Sequence, residues 1–219
     1  MLRKKDMKRK ISILLVGLLI LTGLQAWDVG AYAVVSERNL VQDDGKGYST
    51  KTMGALMTAC TTAPNGIGVE GRLGVSYGRD GSIDGRDFSD SSWFSRDRSF
   101  DYNATVAFVW KPSVSDGSFM LDAHVSWDTV TFQNGTVKDW SRTTFHTLSA
   151  GFAVGFSMKI ADSSLRGTKM TIYLSDDWGL WSARTTRSRT DGRTSGASGG
   201  PIDAFCNDIR MGFGITVSV

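Results

Sequence analysis

Residues 100–111 read Phe-Asp-Tyr-Asn-Ala-Thr-Val-Ala-Phe-Val-Trp-Lys. Phe100, Tyr102, Ala104, Val106, Phe108 and Trp110 share one parity, while Asp101, Asn103, Thr105 and Lys111 fall on the other. A period of two places these sets on opposite faces of one strand. The apolar face ends in an aromatic ring at each extremity, and the opposite face is polar.

The same period recurs in five further segments, residues 67–77, 119–132, 144–160, 169–181 and 208–219. In the first, Val69, Leu73 and Val75 oppose Glu70 and Arg72; in the second, Leu121, Val125 and Trp127 oppose Asp122, His124 and Asp128. In the last, Ile209, Met211, Phe213 and Ile215 oppose Asp208, Arg210, Gly212 and Gly214. Past residue 33 no segment carries a helical period, so an all-β chain is expected.

Connections between these strands alternate in length. Residues 111–118 and 161–167 are short, whereas 79–99 and 182–201 are long. Asn134-Gly135, between Val130-Thr131-Phe132 and Thr136-Val137, reads as a two-residue hairpin turn. Short turns at one end and longer excursions at the other match a transmembrane barrel.

Ahead of the strands, residues 1–10 are basic, residues 11–24 are a nearly unbroken apolar run, and Ala31-Tyr32-Ala33 sets small residues at the −3 and −1 positions of a cleavage site. A secretory signal peptide over residues 1–33 is the expectation, with a cut after Ala26 as the alternative. Its removal leaves 19 basic against 20 acidic residues and lowers the formal charge from +3 to −1. The basic character belongs to the leader, and no nucleic-acid partner is expected. Residues 34–65 then form an N-terminal segment with room for one or two strands, and residues 66–219 form the barrel.

A soluble sandwich or ligand-binding barrel in the periplasm would turn the apolar face inward. Three features favour lipid instead. The polar face carries unlike charges near mid-strand, Glu70, Arg72, Asp122, Lys159, Lys169 and Arg210 with His124, suited to a polar network in a narrow lumen. Phe100, Trp110, Phe119, Trp127, Trp178 and Trp181 gather near strand ends, as an interfacial girdle requires. The last segment is itself an alternating strand.

On GIGVEGRLGVSYG, SFDYNATVAFVWKP, TLSAGFAVGFSMKI and DIRMGFGITVSV, the chain resembles the small outer-membrane β-barrels of diderm bacteria, the OmpX, OmpA, OmpW and Opa group. The resemblance is architectural and covers roughly residues 66–219; the chain departs from it in ending on Val219, where members end on Phe or Trp. It implies an antiparallel up-and-down transmembrane barrel of eight strands. Six are explicit in the alternation; the remaining pair is expected from residues 26–65, with the 178–203 region or a barrel shared between chains as the alternatives. It further implies a monomer in the outer membrane, contacts with outer-membrane lipid or lipopolysaccharide, insertion by the barrel assembly machinery, and surface loops that can meet a host ligand.

Few residues suggest chemistry. His124 shares the lumen face with Asp122 and Asp128, which would suit a general base in a barrel enzyme acting on lipid A or peptides, although a lumen histidine held in a polar network is the simpler account. His146 follows Ser141, Thr143 and Thr144 near a strand end and reads as rim polarity. Trp93 and Phe94 in the 79–99 connection, and Arg184, Arg187, Arg189 and Arg193 in the 182–201 connection, are candidate contact residues. Asp80, Asp84, Asp87 and Asp90 could cradle calcium, but interspersed arginines oppose it. No cofactor is expected, and the favoured reading is a non-enzymatic barrel whose loops serve adhesion or membrane integrity, or whose lumen passes small solutes slowly. Cys60 and Cys206 are expected at opposite ends of the barrel, which argues against a disulfide.

Overall fold

The strand at residues 100–111 is one of eight. In the computed structural model, which describes residues 27–84, 86–87, 98–114, 117–135, 138–160 and 167–218, the long strands are β1 (Trp27–Gln42), β2 (Gly47–Thr62), β3 (Ile67–Ile83), β4 (Arg98–Trp110), β5 (Gly117–Gly135), β6 (Trp140–Lys159), β7 (Thr168–Thr190) and β8 (Ala204–Ser218). Each pairs antiparallel with its sequence neighbours. β8 pairs back onto β1 from Asp28↔Ser218 to Gln42↔Ala204, closing the sheet. Closure satisfies the strand edges that an open sheet would leave unpaired in hydrocarbon.

The missing pair comes from the N-terminal segment, and it starts earlier than the 33/34 boundary. Tyr32, Val34 and Arg38 are buried inward while Val29 and Val35 face out. Small residues at Gly30, Ala31 and Ala33 dilute this pattern in the sequence. A cut after Ala33 would remove residues that pair with both β2 and β8; a cut after Ala26 leaves β1 whole. The apolar run at 11–24 lies outside the described residues.

Two turn expectations are corrected. β5 continues through Asn134↔Ser141 and Gly135↔Trp140, so Asn134-Gly135 closes the strand and the chain reverses beyond it. Gly135 has φ +96°, and a Cβ there would strike the Asp139 carbonyl; glycine is needed for the strand end rather than for a two-residue turn. The stretch 182–201 is not a loop. β7 runs to Thr190, Asp191 and Gly192 turn with φ of 50° and 76°, and Arg193–Thr194 pairs back onto Thr190 and Arg189. Positive φ at both central residues is the twist-matched hairpin geometry. Ser198–Ile202 then pairs with Ser182–Thr186. In the 79–99 connection, β3 reaches Ile83 and Arg86–Asp87 folds back on it; Trp93, Phe94 and Asp90 lie outside the described residues.

Val106, Phe108, Leu73, Val75, Phe152 and Phe213 are all more than half exposed on the outer wall. Apolar area of that extent, continuous around the strands, is incompatible with a water-facing surface. Trp27, Trp110 and Phe119 mark the short-turn end of this belt, and Phe100, Trp127, Trp178 and Trp181 mark the other. Phe100 and Trp110 are ten residues apart on β4, about 33 Å along the strand and about 25 Å across a bilayer at the usual tilt. Trp178 and Trp181, an odd number of residues apart, both face out because the register slips between Leu148↔Trp181 and Ser149↔Gly179. Leu180 is the extra residue of this bulge.

Candidate functional site: the filled lumen and the outer wall

Inward positions fill the barrel from end to end. Nearest the short turns, Cys60, Ala107 and Val109 form an apolar layer. Near the outer mouth, Leu40, Tyr48, Val130, Phe132, Phe145 and Cys206 form another, with the Tyr48 ring 4.9 Å from Phe132 and 4.7 Å from Phe145. Cys60 and Cys206 are free thiols in these two layers.

From the level of the inner apolar layer to that of the outer one runs an unbroken chain of opposite charges. Lys111 Nζ donates to Glu70 Oε2 at 2.7 Å, and Arg72 Nε to Glu70 Oε1 at 2.7 Å. Arg72 also donates to Asp122. His124 Nδ1 stands 2.6 Å from Asp122 Oδ1, and its Nε2 contacts Asp177. Arg210 Nη2 lies 3.4 Å from Asp177 and donates to Asp128 at 2.7 Å and to Asp208. Arg38 donates to Asp128 at 2.9 Å and to Asp208, and stands 3.1 Å from Asp101. Asn103 and Ser126 complete the shell of Asp128 at 2.7 and 3.1 Å. Taking so many charges out of water is tolerable only when each is paired in this way.

Small residues across the lumen make the network possible. A Cβ at Gly151 would collide with Asp177 and stand 2.9 Å from His124 Nε2. At Gly155 the opposing atoms belong to Met120 and Tyr173, and the Arg72 guanidinium lies 5.7 Å from the Tyr173 ring centre. The small residues of β6 therefore make room for neighbours rather than for a passage. A cavity of about 30 Å³ remains beside Asp101, Asn103 and Arg210, space for about one water.

Of the residues that parity singled out, Glu70, Arg72, Asp122, His124 and Arg210 lie in this network. Lys159 and Lys169 are corrected: they sit opposite each other at the inner rim, Lys159 exposed and Lys169 3.8 Å from Asp28. Asp128 is not the partner of His124. The partner is Asp177, whose inward parity the irregular end of β7 obscures in the sequence. Arg38 and Asp208 were also missed, the first because β1 was hidden by the apparent leader.

His124 is 6% exposed, with a carboxylate at each ring nitrogen. Both ring nitrogens are thus occupied by carboxyl groups of the wall. Neither nitrogen is left to take a proton from a substrate. His146 faces out, 3.1 Å from the Thr129 hydroxyl, its ring stacked on Trp127 at 5.9 Å.

Of the arginines in the outer hairpin, Arg184 is committed: it forms a fork with Asp84, one arm at 3.0 Å, and lies 5.4 Å from the Phe145 ring centre, roofing the apolar layer. Asp84 is thereby removed from any calcium cradle, and no group of metal-binding side chains occurs among the described residues. Arg187, Arg189 and Arg193 form no ion pair with a carboxylate among the described residues, and neither does Arg142, which the sequence reading did not single out.

No protein-family model matches the chain, and no curated protein matches it in sequence. Solved structures do match. A major outer membrane protein from Thermus thermophilus is 14% identical with a TM-score of 0.55, over 89% of this chain and 98% of that one. Neisserial surface protein A is 10% identical with a TM-score of 0.49, over 88% and 97%. The attachment invasion locus protein Ail of Yersinia pestis is 12% identical with a TM-score of 0.45, over 88% and 99%. The fold is that of the outer-membrane β-barrels, and the lipid-facing belt with its two girdles places the chain across such a membrane.

Proposed function

We propose that this protein is a non-enzymatic outer-membrane barrel that works through its outer surface, in adhesion or membrane integrity, rather than by conduction or hydrolysis. The observation that carries the reading is the ion chain from Lys111 to Asp101, whose members pair with one another along a lumen that apolar residues also fill near both ends. Such an interior makes the barrel a stiff post that holds the extensions of β5, β6 and β7 above the bilayer. A conducting lumen of this width would need its charges facing water rather than one another. A hydrolase of the histidine–carboxylate kind would need His124 within hydrogen-bond reach of a substrate or water.

Planar-bilayer recording on the folded full chain tests the proposal. No sustained conductance is expected in the wild type, whereas Arg210→Ala, which breaks the middle of the chain, produces channel events. Steady wild-type conductance would refute the reading.

A further inference from the structure

The registers of β4 to β7 lay out the outer wall row by row. The outward row at the girdle is Ala104–Trp127–Leu148–Trp181. Above it come Tyr102–Thr129–His146–Ala183, then Phe100–Thr131–Thr144–Thr185, then Gln133–Arg142–Arg187. Going outward, the wall passes from aromatic to hydroxyl to guanidinium.

Each layer is organised. Trp127 stacks on Trp181 at 5.8 Å and on His146 at 5.9 Å. Thr131 and Thr144 hydroxyls are 3.2 Å apart, and with Thr129 and Thr185 they offer a band of hydrogen-bonding groups. Arg142 is held by Gln133 Oε1 at 2.8 Å and by the face of Trp140 at 5.1 Å. Arg142 and Arg187 are directly opposed across the β6–β7 ladder, both exposed. Like charges in that position repel, and among the described residues no carboxylate separates them. Arg189 follows on the same face, opposite Trp140, with its Nε buried and without a hydrogen-bond partner. The acids at this tip are Asp139, which accepts from the Asp191 backbone N–H at 2.8 Å, and Asp191 itself; Lys138 and Arg193 balance them in charge.

We propose that this face of β5 to β7 binds a phosphate-bearing, sugar-headed lipid of the outer leaflet: acyl chains lie against the belt below Trp127 and Trp181, sugars against the threonine band, and anionic groups against Arg142 and Arg187. The vertical spacing selects this occupant over a phospholipid. Arg187 is six residues beyond Trp181, about 20 Å along the strand and about 15 Å along the membrane normal. Phospholipid headgroups extend only about 5–8 Å past the hydrocarbon edge, too short to reach. The inference rests on the outer-membrane placement and not on the closed lumen, which the conductance recording tests separately.

The test uses the folded full chain in zwitterionic detergent micelles, titrated with dye-labelled lipopolysaccharide and read by fluorescence anisotropy. Arg142→Gln with Arg187→Gln weakens binding by about a hundredfold, about tenfold for each charge-assisted hydrogen bond removed. Lys138→Gln with Arg193→Gln, which removes the same charge away from the row, changes it by less than about threefold. Dephosphorylated lipopolysaccharide binds the wild type as weakly as intact material binds the Arg142/Arg187 variant. Unheated-gel mobility confirms that each variant is folded. Equal losses in the two double variants would reduce the effect to net charge and overturn the proposal. So would tighter binding of dextran sulfate than of lipopolysaccharide through Arg142 and Arg187, which would assign the row to a soluble acidic polysaccharide.

Discussion

Arg38→Met removes the cation that ties the outer end of the lumen network together. Arg38 is 1% exposed and contacts Asp101, Asp128 and Asp208. Asp128 and Asp208 keep Arg210. Asp101 keeps no cation among the described residues; Ser76 Oγ, at 3.4 Å, is its remaining polar contact. Stranding a buried charge costs about 3–5 kcal/mol, and methionine fills much of the arginine's volume without a cavity. At a urea dependence of about 2 kcal/mol per molar, the unfolding midpoint falls by about 2 M. The assay is tryptophan fluorescence of the protein folded into phosphatidylcholine vesicles and titrated with urea. Adding Asp101→Asn removes the stranded charge, so the double variant recovers at least about 1 kcal/mol relative to Arg38→Met alone. A midpoint shift under about 0.5 M, or a double variant less stable than the single, would refute the claim that opposite charges organise the lumen.

Three other outcomes follow from the same packing. Phe145→Ala, at a fully buried ring between Tyr48 and Phe132, lowers stability by about 3–5 kcal/mol in the same titration; a loss under about 1 kcal/mol would mean the outer apolar layer is loosely packed. Cys60 and Cys206, 1% and 2% exposed, stay unlabelled by a water-soluble thiol reagent in the folded protein and both react after boiling, with no mobility change under reduction. Mass spectrometry of the exported protein finds its first residue at Trp27; a start at Val34 would strip Trp27 to Ala33 from β1 and contradict the full-length β1–β8 ladder.

The strand pattern was legible wherever bulky apolar residues alternate with polar ones, as in residues 100–110, 119–132 and 208–218. It failed where that contrast is weak. In β1 the outward positions include Ala31 and Ala33, small residues that read equally well as a cleavage site, so the strand was split by a boundary. At the outer ends of β5, β6 and β7 the strands leave the bilayer, both faces meet water, and no apolar stripe marks them; the Ser182 to Pro201 hairpin therefore read as a loop, although Asp191-Gly192 carried its turn signal. Parity identified half of the ion network, but pairing depends on registers across non-neighbouring strands. His124 meets Asp122 of its own strand and, over Gly151 of the strand between, Asp177 of β7; Asp128 lies four residues further along β5 and pairs with Arg38 and Arg210 instead. Arg142 was passed over for a similar reason: only the β6–β7 register sets it opposite Arg187.

Gel mobility of detergent-extracted protein from the outer-membrane fraction, unheated against boiled, tests most directly whether the chain is a closed barrel with an apolar belt. A faster unheated band that slows on boiling is the predicted result, because a closed hydrogen-bonded cylinder resists detergent until heat opens it. Release from the membrane without detergent, and one mobility before and after boiling, would contradict the barrel and with it the assignment of the belt to lipid.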